Sequence, residues 1–223
     1  MTSNLWYPKQ KPLMSLTSLS GGAAGLMIKK AGATAYATLS SADADTKDSP
    51  NKPTLSNSDL TATASSTGEW NLGGSTLGFT TGKWYWEVVP TGNGMLGVEP
   101  TSEDIDRQYF NSGTSGLASR DGKIWFGGTL VVTGQTDWTD GQTIGVAFNA
   151  DEGYIYFYIN GTLSYSYDST MSNSVFKKPA YAVYTTGGGD AWTFTFNFGE
   201  SSFAQTPPTG YKAVSTDNGA SES

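Results

Sequence analysis

From residue 69 onward, apolar and polar positions alternate in short runs. In "KWYWEVV" (83–89), Trp84, Trp86 and Val88 fall on one side of an extended strand, and Lys83, Tyr85, Glu87 and Val89 on the other. "WTFTFNF" (192–198) sets Trp192, Phe194, Phe196 and Phe198 against Thr193, Thr195 and Asn197, a period of two with one apolar face. "QTIGVAF" (142–148) is a further strand. "YIYFYINGTLSYSY" (154–167) holds Asn160-Gly161 between two apolar runs, a strong hairpin signal. Tyr154, Tyr156 and Tyr158 share one face of its first run, and Ile155, Phe157 and Ile159 the other. Two apolar faces predict a central strand covered on both sides; were the tyrosine face open instead, it would form an aromatic patch suited to carbohydrate or protein. No stretch beyond residue 69 has helical periodicity, and Gly, Asn and Asp turns separate the runs. The pattern predicts an all-β sandwich or barrel.

The first third reads differently. "LWYPKQKP" (5–12) is extended by its two prolines, and "SGGAAG" (20–25) is flexible. Residues 43–68 are polar and rich in Pro, Ser and Thr, a link into the first strand. All 20 acids lie at or after Asp43, whereas residues 1–42 carry Lys9, Lys11, Lys29 and Lys30. The head is therefore +4 and the remainder −11. An acidic body without a basic stripe argues against nucleic acid as the partner. No run of 18 apolar residues occurs, so no membrane span is predicted. Gly21, Gly22 and Gly25 interrupt the one apolar stretch near the N-terminus, and Lys29-Lys30 follow it, which weighs against an export signal.

Cysteine and histidine are both absent. Histidine-based nucleophile systems, His-ligated zinc and disulfides are thereby excluded, leaving carboxylates, Lys, Tyr and Ser/Thr for any catalysis. Glu87 beside three aromatics is the obvious candidate, but a glycosidase needs a second carboxylate held about 5–10 Å away. No strand supplies one. "EPTSEDID" (99–106) is marked as a loop by Pro100 and its polarity, so Glu87 reads as a strand residue with a structural hydrogen bond. Asp137/Asp140 and Asp151/Glu152 each adjoin a turn glycine, where Asp serves the backbone better than a cation. "TTGGGD" (185–190) joins two strands and lacks the helix that phosphate loops use. No catalytic residue, metal ligand or cofactor is expected.

The ordered series "GKWYWEV", "DGQTIGVAFNADEGYIYFYINGTLS", "YAVYTTGGG" and "FTFNFGESSFAQTPPTGYKAV" resembles a SPRY domain over roughly residues 50–214. "KPAYAVYT" stands where that family has "YPAVS", and Asn149 takes its first aspartate position. The tail "FAQTPPTGYKA" resembles a subgroup associated with phage and marine bacterial proteins. The resemblance implies a bent sandwich of two antiparallel sheets, concanavalin A-like, used for binding without catalysis through loops at one edge. The expected organisation is an anchoring arm (1–42), the sandwich (43–215) and a polar tail (216–223).

The candidate loops are 91–94, 99–113 and 129–140. The middle one carries Arg107, Tyr109 and Phe110, residue types that dominate interface energies. In the arm, Trp6, Tyr7, Lys9 and Lys11 offer aromatic anchors and charge without a core of their own, which calls for a partner surface. The expected protein is a virion surface component, a capsid decoration or head fibre. Its arm would dock on a major capsid protein or other virion protein, and homo-oligomers would suit a fibre. The alternatives are a tail-associated protein binding a host surface glycan or protein, and a carbohydrate-active hydrolase on the same sandwich.

Overall fold

The computed structural model describes residues 33–40, 52–65, 70–100, 116–126, 129–169, 171, 176–185 and 192–222. The chain divides into two compact units, residues 1–33 and 34–223. Every described strand lies in the second. Numbered in chain order, its strands form two sheets. One runs in the order β1 (Leu39–Ser40), β4 (Trp70–Ser75), β13 (Lys177–Tyr184), β6 (Gly94–Pro100), β7 (Gly116–Ser119), β8 (Ile124–Phe126), β9 (Thr129–Val132). The other runs β12 (Thr162–Asp168), β11 (Tyr154–Ile159), β10 (Ile144–Asn149), β5 (Lys83–Thr91), β14 (Thr193–Asn197), β3 (Thr61–Thr63), β2 (Thr54–Ser56). These neighbours pair antiparallel. β15 (Lys212–Ala213) lies parallel to β5, against Trp84 and Tyr85, in the lane beyond the end of β14. Of the sandwich or barrel that the alternation allows, the sandwich implied by the resemblance is the fold that forms.

The core lies between the sheets. Trp84, Trp86 and Val88 of β5 face inward with Val146 and Phe148 of β10, Ile155 and Phe157 of β11, and Phe194 and Phe196 of β14. Against them stand Leu96 and Val98 of β6, Tyr181 and Val183 of β13, Ala118 and Ile124. Phe79 stacks on Trp84 at 4.8 Å and Tyr181 meets Phe196 at 5.3 Å. Burial of such rings, each removing roughly 150–250 Å² from water, is the main term holding the sheets together.

Three expectations change here. Residues 34–40, grouped with the arm on charge, run along the sandwich: Leu39 pairs with Ser75, and the Ala37 amide donates to the Val214 carbonyl. Ala37 and Leu39 are buried, and a tally of charges could not register that alternation. The 43–68 link holds two strands, β2 and β3, whose Leu55 and Ala62 pack into the core. The tail also joins the fold, because Thr216–Asn218 form a 3-10 turn and Ser221 pairs with Gly78.

Candidate functional site

Glu87 has a structural task. β5 alternates as expected, so Glu87 and Tyr85 point away from the core, yet Glu87 is only 3% exposed. The cause is the chain from Gly199 to Tyr211, which crosses the outer face of β5 and β10. Ala204 and Gln205 donate their amides to the two Glu87 oxygens, both at 2.8 Å, and the Tyr85 hydroxyl donates at 3.1 Å. Phe203 meets the Tyr85 ring edge-on at 4.9 Å, and the Gln205 side chain donates to the Thr143 carbonyl at 2.8 Å. Burial, then the Glu87 charge, push the Tyr85 phenol well above its ordinary range. Glu87 is thus a clamp on the C-terminal crossing, as its reading as a hydrogen-bonding strand residue anticipates.

One acid of each pair likewise fixes backbone. Asp151 accepts the Gly82 amide at 2.8 Å, Glu152 accepts from the Asn149 side chain at 2.7 Å, and Asp140 accepts the Gly92 amide at 2.9 Å. Among the described residues no group of three or more acids gathers as a cation site would require.

The tyrosine strand departs from expectation. β11 is second from the end of its sheet, not central, so the outer face is only partly covered. Ile155 and Phe157 are buried, but Tyr154 is 36% exposed and Tyr156 and Tyr158 are half-buried. Two apolar faces misled because a tyrosine ring can pack on a neighbouring ring while its hydroxyl stays in water.

Loops from both sheets meet at the end of the sandwich where β5 turns into β6. Gly92 adopts φ 83°, and a Cβ there would lie 1.9 Å from the Trp192 ring, so only glycine lets the turn close under that indole. The Gly141 amide donates to the Pro90 carbonyl at 2.9 Å, and Arg120 to the Gly94 carbonyl at 3.1 Å. The Arg120 guanidinium pairs with Asp140 at 2.8 Å, tying the turn after β7 to the loop after β9. Alongside lie three half-buried rings: Trp70 and Tyr184, 4.9 Å apart, and Trp192, 6.1 Å from Tyr184. Arg, Trp and Tyr gathered at one end of the sandwich are residue types that suit protein recognition.

Of the three candidate loops, 91–94 and the end of 129–140 therefore adjoin. Thr129–Val132 is strand, not loop. β6 ends at Pro100 and β7 begins at Gly116, at the opposite end of that strand pair from Gly94. Arg107, Tyr109 and Phe110 lie outside the described residues, as do Trp6, Tyr7, Lys9 and Lys11. Trp70, Tyr184, Trp192 and Arg120 were not singled out from the sequence. Their common signal is position, each within two residues of a strand end.

The SPRY domain family matches residues 83–200, more than half of the chain. No curated protein matches the sequence. Among solved structures, the SPRY domain of human HERC1 is similar at 14% identity and a TM-score of 0.56, over 67% of this chain and 94% of that one. A human SPRY domain aligns at 19% identity and TM-score 0.54, over 69% of this chain and all of that one. Stonustoxin aligns at 19% identity and TM-score 0.55, over 73% of this chain but 27% of its own.

Proposed function

The chain belongs to the SPRY family, and from that premise we propose that it is a non-catalytic protein-binding module on a virion surface, a capsid decoration or head-fibre protein held by its basic N-terminal segment. SPRY domains are in general non-catalytic modules that mediate protein–protein interactions. In this chain Glu87, the carboxylate nearest to a catalytic candidate, gives both oxygens to main-chain amides.

The observation that carries the virion reading is the charge split. Residues 1–42 hold four lysines and no acid, while the rest is −11. All four lysines fall in the unit that precedes the sandwich. A +4 segment carrying Trp6 and Tyr7 suits attachment to an acidic capsid exterior, and it leaves the acidic sandwich to face outward. The end bearing Trp70, Arg120, Tyr184 and Trp192 is then the displayed contact surface.

The test is incorporation. Deleting residues 1–33 removes the basic unit and leaves every described strand in place. Co-sedimentation with purified particles is expected to fall to background while the melting temperature is unchanged. Full incorporation of the shortened protein would refute the reading.

A further inference from the structure

β12 closes its sheet, and among the described residues no strand pairs with its other side. Its hydrogen-bond alternation tells which groups face that open edge. The Ser169 amide donates to the Gly153 carbonyl at 3.0 Å. Antiparallel pairs alternate between bonded and non-bonded. Counting from that bond, Ile155/Tyr167 and Phe157/Tyr165 exchange the ladder bonds, while Tyr154/Asp168 and Tyr156/Ser166 do not. Ser166 and Asp168 therefore turn both amide and carbonyl outward. At the other end Asn160 and Gly161, with φ 48° and 81°, make the two-residue turn that pairs Ile159 with Thr162, so Leu163 also faces out.

Exposed edges normally carry a guard such as Lys or Pro. β12 has neither, but it carries a bulge of its own, with Ser164 as the extra residue between Leu163 and Tyr165, so the regular edge is Tyr165–Asp168. Leu163 is 52% exposed. Beside the edge runs the tyrosine strip of β11: the Tyr154 and Tyr156 rings lie 6.2 Å apart with planes 28° from parallel. Tyr211 meets Tyr156 edge-on at 6.4 Å and closes the strip on its inner side, where Lys83 already sits 5.9 Å over the Tyr211 ring.

Acidic side chains adjoin this edge, with Lys83 confined to the inner side of the strip over Tyr211. From Ile124 to Phe176 the chain holds five acids, Asp137, Asp140, Asp151, Glu152 and Asp168, and no Lys or Arg. Asp168 raises the Tyr154 pKa through its charge and a hydrogen bond, and Asp121 and Asp137 add to the effect of burial on Tyr165. Glu152 adds to the rise at Tyr154, so Asp168 and Glu152 are the acids of the strip.

We propose that the β12 edge and the tyrosine strip form a second docking surface, and that its occupant is an extended basic segment of a partner protein, added to the sheet as a further strand. Its backbone bonds to the outward groups of Ser166 and Asp168, beyond the bulge at Ser164. Alternate Lys or Arg side chains lie over Tyr154 and Tyr156 and beside Asp168. The surface uses none of Trp70, Arg120, Tyr184 or Trp192, so it stands or falls apart from the loop end.

The test is fluorescence anisotropy with a labelled ten-residue peptide of alternating Arg and Val, against an alternating Glu and Val control, using the full chain. The Arg peptide is expected to bind and the Glu peptide not. Ser166→Pro removes an outward amide and no ladder bond, so it should weaken binding about tenfold or more with an unchanged melting curve. Asp168→Lys, at an exposed position, should weaken it comparably and gives the answer should the proline variant fail to fold. Equal affinity for both peptides, or affinity untouched by either variant, would overturn the proposal and mark the binding as unspecific charge attraction. A dimer in sedimentation that Ser166→Pro splits would also overturn it, by making a second copy the occupant of the edge.

Discussion

Replacing Glu87 with Gln keeps shape and volume and removes one acceptor. The carboxylate receives three donors: the Ala204 and Gln205 amides at 2.8 Å and the Tyr85 hydroxyl at 3.1 Å. A glutamine keeps one oxygen, and its NH₂ group must face a donor on the other side. Hydrogen bonds to a charged group are worth roughly 1.5–3 kcal/mol each, and a buried amide left unpaired costs a similar amount. Loss of the charge on the retained bond and of the second bond altogether amounts to about 3 kcal/mol. For a domain of this size that corresponds to a fall in Tm of about 6–12 °C. Urea unfolding followed by Trp fluorescence reads the stability, and amide exchange read on the peptide spanning 203–206 locates the damage. The clamp reading requires both a loss of stability and faster exchange at Ala204 and Gln205. A Glu87→Gln protein within about 0.5 kcal/mol of the parent, with unchanged exchange there, would refute it, since surface changes without a structural role fall in that range.

Gly145 faces Tyr85 across the β5/β10 pair, and a Cβ would lie 2.4 Å from its hydroxyl. Gly145→Ala should therefore cost about 1–3 kcal/mol by overpacking, read in the same urea assay. Arg120→Ala should barely move stability, less than about 1 kcal/mol, because its pair with Asp140 is part-exposed, yet should weaken capture of a loop-end partner in a pull-down. Burial lowers the Lys177 pKa to about 8 from 10.5. The unfolded chain holds that proton up to higher pH, so stability should rise between about pH 8 and 10.5, and Lys177→Met should flatten the rise in urea midpoints. Burial foremost raises the pKa of Tyr85, Tyr165 and Tyr211. These phenols are neutral in both states below pH 10. Above it the unfolded chain ionises first, so stability should fall, and in a titration at 295 nm the three should ionise only as the fold is lost. Ionisation of all 12 tyrosines in one step near pH 10 with the fold intact would contradict their burial.

The sandwich and its strands were legible because a strand's side chains alternate with period two, and that period survives any context. Trp84, Trp86, Val88, Phe194 and Phe196 face the core as their alternation requires. The Asn160-Gly161 turn was equally readable, because positive φ at two successive residues selects that pair. What alternation cannot report is the second face. Tyr85 and Glu87 are buried because residues 199–211, more than a hundred positions away, cross over them, while Tyr154 and Tyr156 stay partly open because that crossing stops at Tyr211. No local pattern distinguishes the two tyrosine sets; only the path of the C-terminal chain does.

The same holds for the sites. Glu87 beside its aromatics read as a strand residue because no second acid lay in reach along the sequence, but its partners, two amides of a distant loop, were invisible there. Trp70, Arg120, Tyr184 and Trp192 come from four separate stretches and meet only where β5 turns into β6. Among the described residues the open β12 edge depends on strand order, a long-range property that the 15 short strands described could satisfy in many ways. By itself the sequence determined periodicity, turn chemistry and the sign of the charge, all set by near neighbours. The tertiary structure alone decided which outward faces are covered, which loops share an end and which strand is left at the rim, because those follow from contacts between residues far apart in the chain.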